Sequence, residues 1–204
     1  IRGLSLTYGS RYRALDQVTL DISSGMFGLL GPNGAGKSSL LNSIAGLIIP
    51  QQGEIIFNGI DIIRQPEFIK KQLGFLPQDF GVYPKVTAYE LLNHLAILKG
   101  VTEIKARNNQ ILNLLEQVNL SNDKDKQVAT FSGGMRQRFG IAQALLGNPQ
   151  IIIVDEPTAG LDPEERQRFY FLLNEIAAEV IVILSTHLVE DVQQLCTQLA
   201  IINQ

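Results

Sequence analysis

Cysteine occurs once in these 204 residues, at Cys196, so an internal disulfide and a cysteine metal cluster are both excluded. A lone thiol fits a reducing compartment. Charge is sparse: Lys and Arg number 17 and Asp and Glu 20. The net value of −3 leaves no electrostatic footprint for duplex nucleic acid or anionic membrane. Long apolar runs are missing as well. The longest candidates, Ile151–Val154 and Val180–Leu184, are strand-sized, against the about 18 residues that a membrane span needs. The first residues carry no secretory signal, and the chain opens on Ile1 without an initiator Met, as a domain trimmed from a longer record does. Internal repeats and low-complexity linkers are also lacking. What remains is 45% hydrophobic and 18% charged, the balance of a soluble globular protein with room for one domain and an inserted subdomain.

The densest information lies in residues 26–48. Gly31-x-x-x-x-Gly36-Lys37-Ser38 is the phosphate-binding loop pattern. Met26–Leu30 before it reads as a buried parallel strand. After it, Leu40, Leu41, Ile44, Leu47 and Ile48 recur at helical spacing, which predicts a helix of about three turns. Gly31, Gly34 and Gly36 permit a tight turn that aims backbone N–H groups at anionic oxygens. The helix starting near Lys37 adds the positive end of its dipole. Lys37 supplies a mobile charge for outer phosphates, and the Ser38 hydroxyl is a hard oxygen ligand for Mg²⁺. A glycine-rich turn that merely precedes a helix is the plainer reading, and the flanking strand and helix weigh against it.

In chain order, residues 1–25 read as two short strands near Arg2–Leu6 and Val18–Ile22, joined by Tyr8–Arg13. Gly53–Phe57 reads as a strand before an Asn58-Gly59 turn, and Lys71–Leu76 as another that stops at Pro77. From Val82 to about Ala129 leucine periodicity takes over and predicts a mostly helical insertion, with Thr87 and Thr102 at helix N-caps and Glu90 completing a capping box with Thr87. Lys124-Asp125-Lys126 is a solvated loop. Helix through Ile141–Leu146, strand Ile151–Val154, helix Pro163–Ile176, strand Val180–Leu184, helix Leu188–Leu195 and strand Leu199–Ile202 follow. This alternation predicts an α/β fold with a largely parallel sheet covered on both faces.

Ile151–Val154 ends in Asp155-Glu156, and functional groups in open α/β sheets gather at the carboxyl ends of strands. Asp155 is placed to hold Mg²⁺ as the acidic partner of Ser38, and Glu156 to orient or deprotonate an attacking water. A solvated acidic turn is the alternative for that pair. Phe131-Ser132-Gly133-Gly134-Met135 opens a second helix with an N-terminus bare of bulk, suited to an anion. An ordinary Ser N-cap explains it equally well in isolation. One nucleotide does not need two such termini, unless each chain completes the site of another.

This ordered set resembles the nucleotide-binding subunit of ATP-binding cassette (ABC) transporters. Gly31–Ser38 resembles the family's Walker A loop, Phe131–Met135 its signature loop, Ile151–Glu156 its Walker B strand and Ala159-Gly160-Leu161-Asp162 its D-loop. Gln78 fits the Q-loop and His187 the switch histidine. The likeness covers essentially the whole chain, with Phe131 and Met135 as the departures, the latter a variant seen in export-type bacterial subunits. It implies a P-loop NTPase, the ABC ATPase core, with a mainly parallel sheet, an N-terminal antiparallel β part and a helical subdomain inserted over approximately 79–131, in one domain spanning 1–204. It also implies ATP and Mg²⁺ as cofactors. Gly31, Pro32, Asn33, Gly34, Ala35, Gly36, Lys37, Ser38 and Ser39 would hold the nucleotide, with Tyr8 against adenine and Tyr12 as its competitor. Ser38, Gln78 and Asp155 would hold the metal. Glu156 would act on water, His187 would bond the γ-phosphate, and Gln78 would link the metal site to the helices. Ser132, Gly133 and Gly134 would contact the nucleotide of a second such subunit, identical or related, with Asp162 at the dimer seam. Transmembrane permease subunits would be the other partners, at the cytoplasmic face of the membrane, with export as the favoured direction and no role for nucleic acid.

Other residues carry plainer readings. His94, on the Leu91–Leu98 face, is structural. Phe80, Val82 and Tyr83 either line a groove for a membrane partner or belong to the core of the helical insertion. Two rival classes remain: a soluble ABC-type ATPase acting on DNA or ribosomes, and a P-loop kinase, which leaves the 131–135 turn unexplained.

Overall fold

The computed structural model describes residues 1–9, 12–78, 81 and 84–203. Strands β1 (Arg2–Tyr8) and β2 (Tyr12–Val18) form a hairpin, with Leu6 opposite Leu15 and Tyr8 opposite Tyr12. The second strand is therefore Tyr12–Val18, not Val18–Ile22. Past Val18 little of β1 is left to pair with. Leu20 only exchanges backbone hydrogen bonds with Ile1, and it points with Ile22 into an apolar cavity of about 120 Å³, which accounts for their alternation. Then come β3 (Met26–Leu30) and α1 (Lys37–Ile44). The helix is a turn shorter than its apolar spacing predicts. The Leu47 N–H turns back to the Asn42 carbonyl (2.9 Å) and Gly46 N–H to Ser43 (3.2 Å), a glycine-ended C-cap that leaves Leu47 exposed.

The expected strand over Gly53–Phe57 is two strands. β4 (Gln52–Glu54) pairs with β1, whereas β5 (Ile56–Phe57) folds through Asn58-Gly59 onto β6 (Ile60–Asp61). Helix α2 (Pro66–Gln72), unforeseen in the sequence, takes Lys71 and Gln72, so β7 is only Leu73–Leu76. Helices α3 (Ala88–Leu98) and α4 (Ile104–Gln117) follow. The Thr87–Glu90 capping box is present: Glu90 N–H reaches Thr87 Oγ1 at 3.2 Å and Thr87 N–H reaches Glu90 Oε2 at 2.9 Å. Glu103, not Thr102, caps α4, because its carboxylate spans two backbone N–H groups, those of Lys105 and Ala106. His94 is exposed, off the buried face made by Ala88, Leu91, Leu92 and Ala96. Phe80, Val82 and Tyr83 lie outside the described residues.

The rest is α5 (Gly133–Leu145), β8 (Ile151–Asp155), α6 (Pro163–Ala177), β9 (Ile181–Thr186), α7 (Val189–Leu195) and β10 (Gln198–Ile201). Five strands form one parallel sheet in the order β10-β3-β9-β8-β7. Alternate residues of β8 serve two cores. Ile152 and Val154 pack toward α3–α6, while Ile151 and Ile153 pack against α1 and the antiparallel hairpin. Truncating such a residue, for example Ile153→Ala, costs about 2–5 kcal/mol. A sheet filled on both faces holds its strand ends rigidly, and the site is built there.

Candidate functional site

Four adjacent strands deliver the site at their carboxyl ends. β3 leads into the glycine loop, β9 into His187, β8 into Asp155-Glu156 and β7 into Gln78. Between them lies a cleft of about 280 Å³ whose lining includes Asn33, Gly36, Lys37, Gln78, Asp155 and Glu156.

Gly36, the residue before α1, has φ of +102°, and a Cβ there would also collide with the Ala14 carbonyl of β2. Only glycine meets both demands. At Gly31 the constraint is contact alone, since a side chain would strike the Ile202 carbonyl. Among the described residues no side chain caps α1, which leaves its first N–H groups able to donate to an anion. Lys37 is only 5% exposed. Its Nζ donates to the carbonyls of Gly31 (2.7 Å) and Pro32 (3.2 Å) and lies 3.8 Å from Glu156 Oε1. Tyr12 lines the cleft and its hydroxyl donates to the Gly34 carbonyl (2.8 Å), so the hairpin props the loop. Nothing in the sequence announces that tether, because only the fold brings the Tyr12 hydroxyl onto Gly34. The two rings stack at 6.3 Å, and the Tyr8 hydroxyl is 3.3 Å from Ser39 Oγ.

Ser38 Oγ donates to Asp155 Oδ2 at 3.4 Å. These are hard oxygen donors of the kind that suits Mg²⁺. Among the described residues no group of three or more His, Cys, Asp or Glu gathers to hold an ion. Glu156 has a left-handed backbone, φ +47°, which costs a non-glycine residue about 1–2 kcal/mol. Its N–H donates to the Ser185 carbonyl (2.8 Å), pinning β8 to β9 at this point. Its carboxylate is turned inward, with His187 Nδ1 at 3.2 Å.

Ser132, Gly133 and Gly134 do not line this cleft. Ser132 caps α5, accepting from the Met135 N–H at 3.2 Å, and stays exposed with Gly133. Phe131 anchors the turn from below, its ring edge-on to Phe139 at 5.9 Å. Gly134 is covered by Glu165 of α6, which a Cβ there would strike. Glu165 in turn faces Arg138 (3.6 Å) and Arg168 (3.2 Å). Asp162 caps α6 by accepting from Glu165 N–H at 2.9 Å, so the serine–glycine turn and Asp162 meet at Glu165.

A family model described as "ABC transporter" matches residues 15–159. The chain is 37% identical over 179 residues to the linearmycin resistance ATP-binding protein LnrL of Bacillus subtilis, covering 87% of this chain and 57% of that protein. It is 39% identical over 210 residues to ABC transporter A family member 8 of Dictyostelium discoideum, covering all of this chain and 25% of the other. It thus spans less than two thirds of either relative. Among solved structures it superposes with a TM-score of 0.86, at 28% identity, on the ATP-binding cassette MJ0796 in a dimeric, post-hydrolysis state bound to ADP and Pi, covering 99% of this chain and 93% of that one. Strand order, the strand-end cleft and these likenesses agree: the chain belongs to the ABC transporter family and has the fold of its ATP-binding cassettes.

Proposed function

We propose that the chain works as half of a head-to-tail pair that closes around two ATP molecules, and that hydrolysis in the closed pair drives transport through separate membrane subunits. The observation that carries this reading is the division of the anion-binding groups. One chain holds a phosphate cleft and, outside its lining, a helix N-terminus at which Ser132 and Gly133 are exposed and which that cleft does not use. The turn Ser132–Gly134 then meets the outer phosphate held by the partner's loop, and Asp162 lies at the seam. A relative solved as a dimer with ADP and Pi supports the pairing.

In each cleft the loop from Gly31 to Ser39 cradles the phosphates, and Lys37 shifts from its loop carbonyls to the β- and γ-oxygens. Tyr12, with Tyr8 stacked behind it, is the platform for the base. Ser38, Asp155 and Gln78 would hold Mg²⁺, whose chemistry is to neutralise charge across the β- and γ-phosphates. Glu156 accepts the proton of the attacking water as the bond from the γ-phosphorus to ADP breaks, and His187 steadies both Glu156 and the departing phosphate.

No helix among the described residues is long and apolar enough to cross a membrane, and the reading gives the passage to permease subunits on the family likeness. A groove of about 390 Å³ between the sheet edge and α3, lined by Leu47, Phe75, Leu95 and Leu98 with Lys70 and Lys99, suits an amphipathic cytoplasmic helix of such a subunit. Leu47 and Leu98 are 62% and 73% exposed at its rim. Export is the direction we assign, on the Met135 variant and on a relative named for resistance. Detergent co-purification tests the partnership: recovery of a polytopic membrane protein, lost on Leu98→Glu, supports it, and a chain recovered alone contradicts it.

A further inference from the structure

Asp191 belongs to none of the motifs above, yet it is the one carboxylate among the described residues with 0% exposure. It lies on α7 and accepts three hydrogen bonds. Oδ2 takes the Thr158 and Thr186 hydroxyls, each at 2.7 Å, and Oδ1 takes the Tyr170 hydroxyl at 2.5 Å. A buried carboxylate is costly unless such donors compensate it, and an acceptor-only group is what three converging hydroxyls require. The donors come from separate elements. Thr158 stands two residues after Glu156. Thr186 ends β9 and immediately precedes His187. Tyr170 sits on α6, the helix that Asp162 caps. The Thr186 hydroxyl also accepts the Leu188 N–H at 3.0 Å, so the residues on both sides of His187 are tied to one point.

We infer that Asp191 is a positioning residue for hydrolysis: it sets the segments bearing Glu156 and His187 against each other and links them to the helix that starts at the dimer seam. The inference rests on the proposed roles of Glu156 and His187. It explains how a left-handed Glu156 and a His187 on a neighbouring strand end are kept 3.2 Å apart. It also gives closure at Asp162 a route to the reacting groups through α6 and Tyr170. A network that served stability alone would make the same bonds but would not act on the chemical step.

The test measures thermal melting, ATP affinity, and kcat and KM for ATP hydrolysis. Asp191→Ala should lower kcat by about tenfold or more while ATP affinity changes by less than about threefold, because nothing in the phosphate loop touches it. Asp191→Asn keeps the shape and one acceptor oxygen for the two threonine hydroxyls but faces the Tyr170 hydroxyl with a donor, so it should recover kcat only in part. With His187→Ala already present, Asp191→Ala should cause little further loss. Should Asp191→Ala not fold, Tyr170→Phe and Thr158→Val each remove one donor, and each should reduce kcat about threefold or more at unchanged KM. Folded variants with wild-type kcat overturn the inference, as do parallel losses in affinity and kcat that add fully to His187→Ala. A wild-type chain that binds ATP without hydrolysing it overturns the proposed function itself, a result distinct from active wild type with an equally active Asp191→Ala.

Discussion

His187 Nδ1 lies 3.2 Å from Glu156 Oε1, and that same carboxylate oxygen is 3.8 Å from Lys37 Nζ. Imidazole, carboxylate and ammonium thus converge on one small volume from three neighbouring strand ends. In the proposed function Glu156 acts on water, whereas Lys37 and the glycine loop bind phosphate. Glu156→Gln should therefore lower kcat by about 10²–10⁴ and leave ATP affinity within severalfold of wild type. Steady-state phosphate release together with nucleotide binding measures both, and an active Glu156→Gln chain would remove the assigned base.

The Ser38 hydroxyl donates directly to the Asp155 carboxylate at 3.4 Å, which joins two members of the proposed metal site. Ser38→Ala should raise the Mg²⁺ concentration needed for half-maximal hydrolysis about tenfold, and EDTA should abolish turnover while nucleotide still binds. A Mg²⁺ titration of ATPase activity checks this. Full activity in EDTA would contradict the assignment.

Gly134 and Glu165 are in contact, so their substitutions should be coupled. Gly134→Ala places a methyl against the Glu165 side chain and should destabilise by about 1–3 kcal/mol. In a Glu165→Ala background the same change should cost much less. A double-mutant cycle by urea unfolding reads the coupling, and strict additivity would show that Glu165 does not constrain this turn.

Cys196 packs against Gly28 of β3, and burial, with a smaller contribution from Asp191, pushes its thiol up to about 11. Below the ordinary thiol range it is neutral, folded or unfolded. As pH rises through that range toward 11, only the unfolded chain ionises there, so stability falls across this window. At pH 8 the native thiol should react with a maleimide about 100-fold more slowly than a free cysteine. Rapid labelling of the folded chain would contradict the burial.

Much of this was legible in sequence because it rests on local patterns. Met26–Leu30, Pro163–Ile176 and the Thr87–Glu90 box declare themselves through unbroken apolar runs, N1 proline and cap spacing. Failures occurred where tertiary pairing overrode alternation. Val18–Ile22 alternates because Leu20 and Ile22 line a cavity, not because they pair in a ladder. Pro66–Gln72 is too short for a clear helical period. The phosphate loop, the two carboxylates and His187 were readable because chemistry restricts residue type at fixed spacing. Tyr12 and Asp191 were not, because a tyrosine or aspartate in isolation announces no partner. Only the fold puts the Tyr12 hydroxyl on Gly34, or three hydroxyls on Asp191.

The central claim, that nucleotide is clamped between facing copies or close relatives of this chain, is tested most directly by light scattering on the Glu156→Gln chain. Saturating Mg·ATP should double its molar mass, and Ser132→Arg should restore the single-chain mass without loss of ATP binding. A mass that stays that of one chain, with nucleotide bound and every relative of the chain from the same source supplied, would contradict it.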